Sequence, residues 1–76
     1  MKNFIVDAET TEVQRIIKRL REHEDIFDVK DGGTYGIEPE YSQIWVEGVV
    51  TVVEIEDFLN EKGLDYTGVI QAGFPD

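Results

Sequence analysis

Three acidic side chains near the start of the chain are the first residues whose type and spacing could do chemistry. Asp7, Glu9 and Glu12 lie close together, and carboxylate oxygens are the ligands that hard divalent cations prefer. The same acids precede a predicted helix, where negative charge stabilises the positive end of the helix dipole. We expect the dipole role and no bound cofactor. A divalent-cation site at these three residues is the alternative.

The only histidine, His23, is the candidate general base, because histidine is the side chain that most often transfers protons in catalysis. Catalysis would also need a nucleophile or a second acid–base group, and none lies nearby in the sequence. The segment 28–33 superficially resembles a calcium loop, but Lys30 and Gly32 stand where ligating side chains are needed. The chain also lacks a phosphate-binding glycine loop and a nucleophile elbow. We therefore predict that the protein is not an enzyme.

Aromatic and acidic side chains are the best candidates for a binding surface. On an uncovered sheet face, Trp45 would be an anchor of the kind that dominates protein–protein interfaces. The alternative, left open, is that the 31–42 loop covers it. The acids are either a solvated face or a surface that imitates nucleic-acid phosphates. The predicted protein-binding residues are Tyr35, Glu38, Glu40, Tyr41, Trp45, Glu47, Glu54, Glu56, Asp57 and Glu61.

Composition limits the partners that this chain can have. Its 76 residues predict a single domain, 1–76, and its net charge of −10 disfavours direct binding to nucleic acid or to an anionic membrane. The chain has no cysteine, so disulfides and thiolate metal ligands are excluded. No apolar run approaches the roughly 20 residues of a membrane span, and the N-terminus lacks a signal-peptide pattern. We expect a cytoplasmic protein.

The first predicted helix covers residues 12–24. Thr11 and Gln14 have the spacing of a capping box, which marks a helix start. Apolar side chains at helical spacing then form one stripe that should face the core. The members of this stripe are Val13, Ile16, Ile17 and Leu20.

The second predicted helix covers residues 51–62. Thr51 and Glu54 form another capping box, and Gly63 is expected in the left-handed conformation that ends many helices. Leu64 is placed to make the hydrophobic contact that accompanies such an ending. The apolar stripe of this helix contains Val52, Ile55, Phe58 and Leu59.

Short apolar or alternating runs predict four strands, at 4–6, 26–29, 43–47 and 65–72. The glycine-rich segment 31–33 is typical of a turn. The element order is thus β-α-β-β-α-β, which favours an α+β, ferredoxin-like fold: a four-stranded antiparallel sheet with two helices on one face. The other face would be open, and the residues expected on it are Ile5, Trp45, Val69 and Phe27.

The segments 4–6, 13–20, 46–55 and 62–70 resemble, in their apolar pattern, the heavy-metal-associated domains, which are small ferredoxin-like modules of copper chaperones and metal pumps. That family binds metal through Cys-x-x-Cys before its first helix, where residues 9–12 here read Glu-Thr-Thr-Glu. Carboxylates are hard ligands and do not suit Cu(I). The resemblance therefore implies the fold without the metal function. The amino-acid-binding ACT domains share this topology and are an equally fair comparison.

These observations favour a non-enzymatic protein-binding module, and within that class an inhibitor or regulator whose acidic surface meets a basic, nucleic-acid-binding protein. Small acidic proteins of phages and mobile elements that imitate nucleic acid have this size and charge. A small-ligand or divalent-cation sensor of the ACT or metal-domain type is the second hypothesis. Self-association into a homodimer, through the open sheet face or an edge strand, is a third.

Overall fold

The computed structural model describes residues 1–73. A short 3₁₀ turn at Thr10–Glu12 leads into the first helix. The strands and helices follow the predicted order. They are β1 (Lys2–Glu9), α1 (Val13–Leu20), β2 (Ile26–Tyr35), β3 (Tyr41–Gly48), α2 (Val52–Glu61) and β4 (Gly68–Ala72).

The four strands form one antiparallel sheet in the order β2-β3-β1-β4. This order and the two covering helices confirm the predicted α+β, ferredoxin-like arrangement. α1 packs mainly over β2 and β3, while α2 packs over β4. Both helices lie on the same face, and the opposite face of the sheet has no layer above it within residues 1–73.

The core lies between the helices and one face of the sheet. Along β1 the even-numbered residues from Phe4 to Ala8 are buried and the odd-numbered ones between them are partly exposed, as the period of two requires. Both predicted helix stripes face this core. All four residues of the α1 stripe are buried. In α2, Ile55 and Leu59 are buried, and Val52 and Phe58 are partly buried against the core. The buried hydrophobic residues of the strands are Phe4, Val6, Ala8, Ile26, Val29, Ile44, Val46 and Val69.

α1 begins at Val13, next to the predicted start at Glu12, but the predicted capping box was wrong. No side-chain cap precedes this helix, and the 3₁₀ turn at Thr10–Glu12 takes the place of the Thr11–Gln14 capping box. Tertiary contacts explain the difference: the Thr10 hydroxyl bonds the buried Ser42 hydroxyl at 2.9 Å, and the Thr10 N–H donates to Glu40 O at 3.0 Å. The turn is therefore held by β3 and the loop before it.

The predicted ends of α2 are confirmed. The Thr51 hydroxyl accepts a hydrogen bond from the Glu54 N–H at 3.1 Å, as an N-cap does. At the other end Gly63 has φ of +68°, and the Leu64 N–H donates to Leu59 O at 3.0 Å. This six-to-one bond with a left-handed glycine is the Schellman motif.

The prediction of a turn at 31–33 was also wrong. β2 continues through this segment to Tyr35, and the register shifts between Asp31 and Thr34, so the glycines lie in a bulge. The Asp31 carboxylate accepts from the Gly33 N–H at 2.9 Å within that bulge. The connection to β3 comes later, in the loop between Tyr35 and Tyr41.

One of the residues expected on the open face lies elsewhere. Val69 is 9% exposed and belongs to the core, whereas its neighbour Ile70 is 57% exposed on the open face. The alternation in β4 was right but its phase was reversed, because pairing with Ile5 places Ile70 on the face that Ile5 occupies. Phe27 lies at a register shift in β2 and is exposed.

Candidate protein-binding surface

A row of apolar side chains crosses the open face of the sheet. Ile5 in β1 stands directly opposite Trp45 in β3 and Ile70 in β4. Trp45 is 52% exposed, so the loop does not cover it, and the alternative left open from the sequence is decided in favour of the open face. Scattered exposed apolar side chains need no explanation, but adjacent ones on three neighbouring strands make this face the candidate interaction surface.

A shallow depression of about 290 Å³ lies beside this row. Its walls come from all four strands, because the residues involved occupy neighbouring positions in the sheet register. It is therefore a feature of the assembled sheet and not of one loop. Its polar and aromatic lining residues include Asn3, Asp28, Lys30, Trp45 and Glu47.

Carboxylates lie beside the β1 and β3 members of the apolar row. Asp28 on β2 stands opposite Glu47 on β3, and Asp7 follows Ile5 by two residues on β1, so all three occupy open-face positions. The one base at an open-face strand position within residues 1–73 is Lys30, opposite Trp45, and its ammonium lies 3.3 Å from the Asp28 carboxylate. The surface is thus apolar at its centre and acidic at its margin, a pattern complementary to a basic partner.

Gly32 in the β2 bulge gives the Trp45 indole its position. A Cβ at Gly32 would lie 2.5 Å from Cδ1 of the indole and 2.8 Å from Cε2, so no other residue fits without moving the ring. The bulge and the glycine therefore leave room for the ring beside the β2 backbone. This contact restrains the position of the Trp45 indole.

Two tyrosines form the upper margin of the open face. The rings of Tyr35 and Tyr41 stack with centroids 5.8 Å apart, and the Tyr35 hydroxyl donates to the Asp7 carboxylate at 3.1 Å. Partial loss of hydration and this hydrogen bond, together with the negative charge of Asp7, raise the pKa of Tyr35 above its ordinary value of 10.0. The phenol is therefore a fixed neutral donor at physiological pH.

The predicted binding residues divide between two surfaces. Tyr35, Tyr41, Trp45 and Glu47 belong to the strands of the open face, and the loop between β2 and β3 carries Glu38 and Glu40 at its end. The remaining four lie on α2, in the layer on the opposite side of the sheet. The structure does not bring that group to the Trp45 row; its members are Glu54, Glu56, Asp57 and Glu61.

The alternative cation site is not assembled. Within residues 1–73, no group of three or more acidic or histidine side chains is arranged to hold a metal ion. The Asp7 carboxylate accepts from Tyr35 on the open face, and Glu12 lies in the 3₁₀ turn beside Arg15, at 3.7 Å. The three carboxylates predicted as alternative ligands do not converge.

His23 has a structural role in the described part of the chain. Its Nδ1 accepts from the Asp25 N–H at 3.0 Å, and its ring makes an edge contact with Phe58 at 5.0 Å. The residue joins the α1–β2 loop to α2. Residues 1–73 also contain no helix of the length and apolarity needed to cross a membrane.

Sequence reasoning missed three residues of this surface: Ile70, Asp28 and Lys30. Ile70 was missed because alternation in β4 gives two faces without saying which is buried. Asp28 and Lys30 were missed because of the register shift between Ile26 and Asp28. Strict alternation from the buried Ile26 would place both residues on the buried face, whereas the irregularity turns them to the open face and buries Val29.

No protein-family model and no curated protein gives a significant match to the chain. The resemblance to heavy-metal-associated and ACT domains stays a prediction.

Proposed function

We propose that the protein is a non-enzymatic binding module whose open sheet face docks on a basic surface of a partner protein. The observation that supports this most is the apolar row on three strands, in which Trp45 and Ile70 are exposed and Ile5 is half-buried. Carboxylates lie beside its β1 and β3 members. Large aromatic side chains held in place before binding lose little entropy on association, which is why they dominate interface energetics.

The partner class that we propose is a nucleic-acid-binding protein. Such proteins carry clusters of lysine and arginine that neutralise phosphates, and an acidic surface with an aromatic centre competes for the same clusters. The net charge of −10 supports this choice. In this role the protein is an inhibitor or regulator, because it occupies the surface that would otherwise hold nucleic acid.

The experiment compares the wild-type chain with Trp45→Ala as bait in lysate of its own host, at low and at physiological salt. We expect Trp45→Ala to weaken capture by about 30-fold, which corresponds to roughly 2 kcal/mol for a hot-spot residue. We also expect capture to fall as salt rises, because electrostatic steering is screened. Val53→Ala is the matched control, since Val53 is 62% exposed on α2, away from the open face.

Identification of the captured protein is followed by a competition assay. The chain should release nucleic acid from the purified partner, and Trp45→Ala should not. Capture that is indifferent both to Trp45→Ala and to salt would contradict the proposed surface. A partner with no affinity for nucleic acid would contradict the partner class alone.

A further inference from the structure

The two edges of the sheet are built differently. β2 carries two register shifts and the charged residues Asp28, Lys30 and Asp31, all of which protect an edge against pairing with another strand. β4 has none of these features: Gly68–Ala72 contains no charge and no proline, and it pairs with β1 without a register shift. An unprotected edge of this kind is a template for strand addition.

The hydrogen-bond phase of β1 shows which groups of β4 are free. The Thr10 N–H donates to Glu40 O at 3.0 Å, in register with the β1–β3 ladder, so even-numbered residues of β1 bond toward β3. Asp7 O accepts from the Thr67 N–H at 2.7 Å, so odd-numbered residues bond toward β4. Neighbouring residues of a strand point their backbone groups to opposite sides, and both bonds give the same phase.

It follows that Ile5 and Ile70, which stand opposite each other, form a hydrogen-bonded pair. The flanking residues Val69 and Gln71 then direct their N–H and C=O groups away from β1, toward the free edge. Within the described chain nothing lies beyond that edge. The two outward residues are symmetric about Ile70, the middle residue of β4.

We propose that β4 pairs antiparallel with β4 of a second copy, about a two-fold axis at Ile70. In this register Val69 of each copy exchanges both backbone hydrogen bonds with Gln71 of the other. The interface is isologous and closes on itself. The outer edges of the resulting eight-stranded sheet would be the two β2 strands, which are already protected, so pairing stops at the dimer.

Side chains on the open face fit the same register. The two Ile70 residues would form a non-hydrogen-bonded pair, with Cα atoms about 4.5 Å apart and side chains in contact. Ile70 is 57% exposed in the single chain, and the pairing covers it with a second isoleucine. The apolar row then runs without a break from Trp45 of one copy to Trp45 of the other.

The charge of the chain gives this association a signature that differs from partner docking. Each copy carries a net charge of −10, while β4 itself is uncharged. Long-range repulsion therefore opposes the dimer, and salt screens that repulsion. The affinity of the dimer should rise with salt, whereas the affinity for a basic partner should fall. The two proposals can therefore fail independently, and the salt dependence shows which of them has failed.

Disulfide trapping tests the register directly, because the chain has no cysteine of its own. Ile70→Cys places two thiols across the two-fold, at a Cα separation within the roughly 4.4–6.8 Å that a disulfide spans. We expect rapid covalent dimer formation under mild oxidation. Lys30→Cys is the control on the β2 edge and should crosslink slowly. Equal rates for the two variants would overturn the proposed register.

A backbone substitution tests the edge. Gln71→Pro removes an N–H that points outward, so it should leave the fold intact and abolish the dimer, whereas Gln71→Ala should preserve it. Sedimentation equilibrium measures the association, and circular dichroism with thermal melting checks the fold. A wild-type chain that stays monomeric at high salt, or a Gln71→Pro chain that stays dimeric, overturns the proposal. If Gln71→Pro does not fold, the trapping experiment decides.

Discussion

The indole ring of Trp45 lies against the Cα of Gly32, across the boundary between β3 and the bulge of β2. The position of the exposed Trp45 ring therefore depends on the bulge in the edge strand β2. A regular strand with a side chain at position 32 would push the ring out into solvent. The bulge therefore makes room for the Trp45 ring, which the pair of glycines in the sequence does not by itself indicate.

Replacing Gly32 by alanine should displace the indole. The new Cβ would overlap with the ring, and overpacking costs about 1–3 kcal/mol; we expect the lower end, because a half-exposed ring can move. Tryptophan fluorescence should shift to longer wavelength. Gly68→Ala is the control, since nothing lies within 4 Å of the position that its Cβ would occupy. Unchanged emission from Gly32→Ala would contradict the contact.

Removal of the Ser42 hydroxyl should destabilise the fold. Ser42 is 0% exposed and bonds Thr10 at 2.9 Å, and loss of one member leaves the other without its buried partner, at a cost of about 1–3 kcal/mol. Chemical denaturation of Ser42→Ala measures the free energy of unfolding. The double variant Thr10→Ala/Ser42→Ala should lose less stability than the sum of the losses in the two single variants. Additive losses would mean that the hydroxyls do not interact.

Tyr35 should titrate later than an ordinary tyrosine. Its pKa is raised above 10.0 in the folded state, so the folded chain holds the proton more tightly than the unfolded chain. The contribution of Tyr35 to stability is therefore complete below pH 10 and is lost as pH rises through the raised value. The difference between wild type and Tyr35→Phe in ultraviolet titration isolates this phenol. Asp7→Asn should lower the pKa of Tyr35. An unchanged Tyr35 pKa in this variant would argue against the contact between the two side chains.

The two threonines that begin the helices in sequence should behave differently. Thr51→Ala removes a hydroxyl that caps α2 and should cost about 1 kcal/mol in the free energy of unfolding. Thr11→Ala removes no cap, because α1 has no side-chain cap, and should stay within about 0.5 kcal/mol of wild type. Thermal melting compares the two variants. Equal losses of stability in the two variants would support the Thr11–Gln14 capping box that the sequence predicted.

The elements with local causes were predictable. α2 needed only its threonine cap, its apolar stripe and Gly63, all of which act within one turn of the residues concerned. The same local pattern at Thr11 and Gln14 failed, because Ser42 and Glu40 bind Thr10 from distant parts of the chain. A cap contributes about 1 kcal/mol, whereas leaving the buried Ser42 hydroxyl without its partner costs about 1–3 kcal/mol, so the longer-range contacts prevailed.

The sequence by itself determined the order of elements, the buried stripes of both helices and the acidic, cysteine-free character of the chain, since periodicity and composition depend on the sequence alone. Only the tertiary structure decided which face each strand presents. Alternation in β4 defines two faces, and pairing of Ile70 with Ile5 chooses between them. It likewise decided that the α2 acids lie in a different layer from Trp45, because a face of a sheet exists only after its strands have paired.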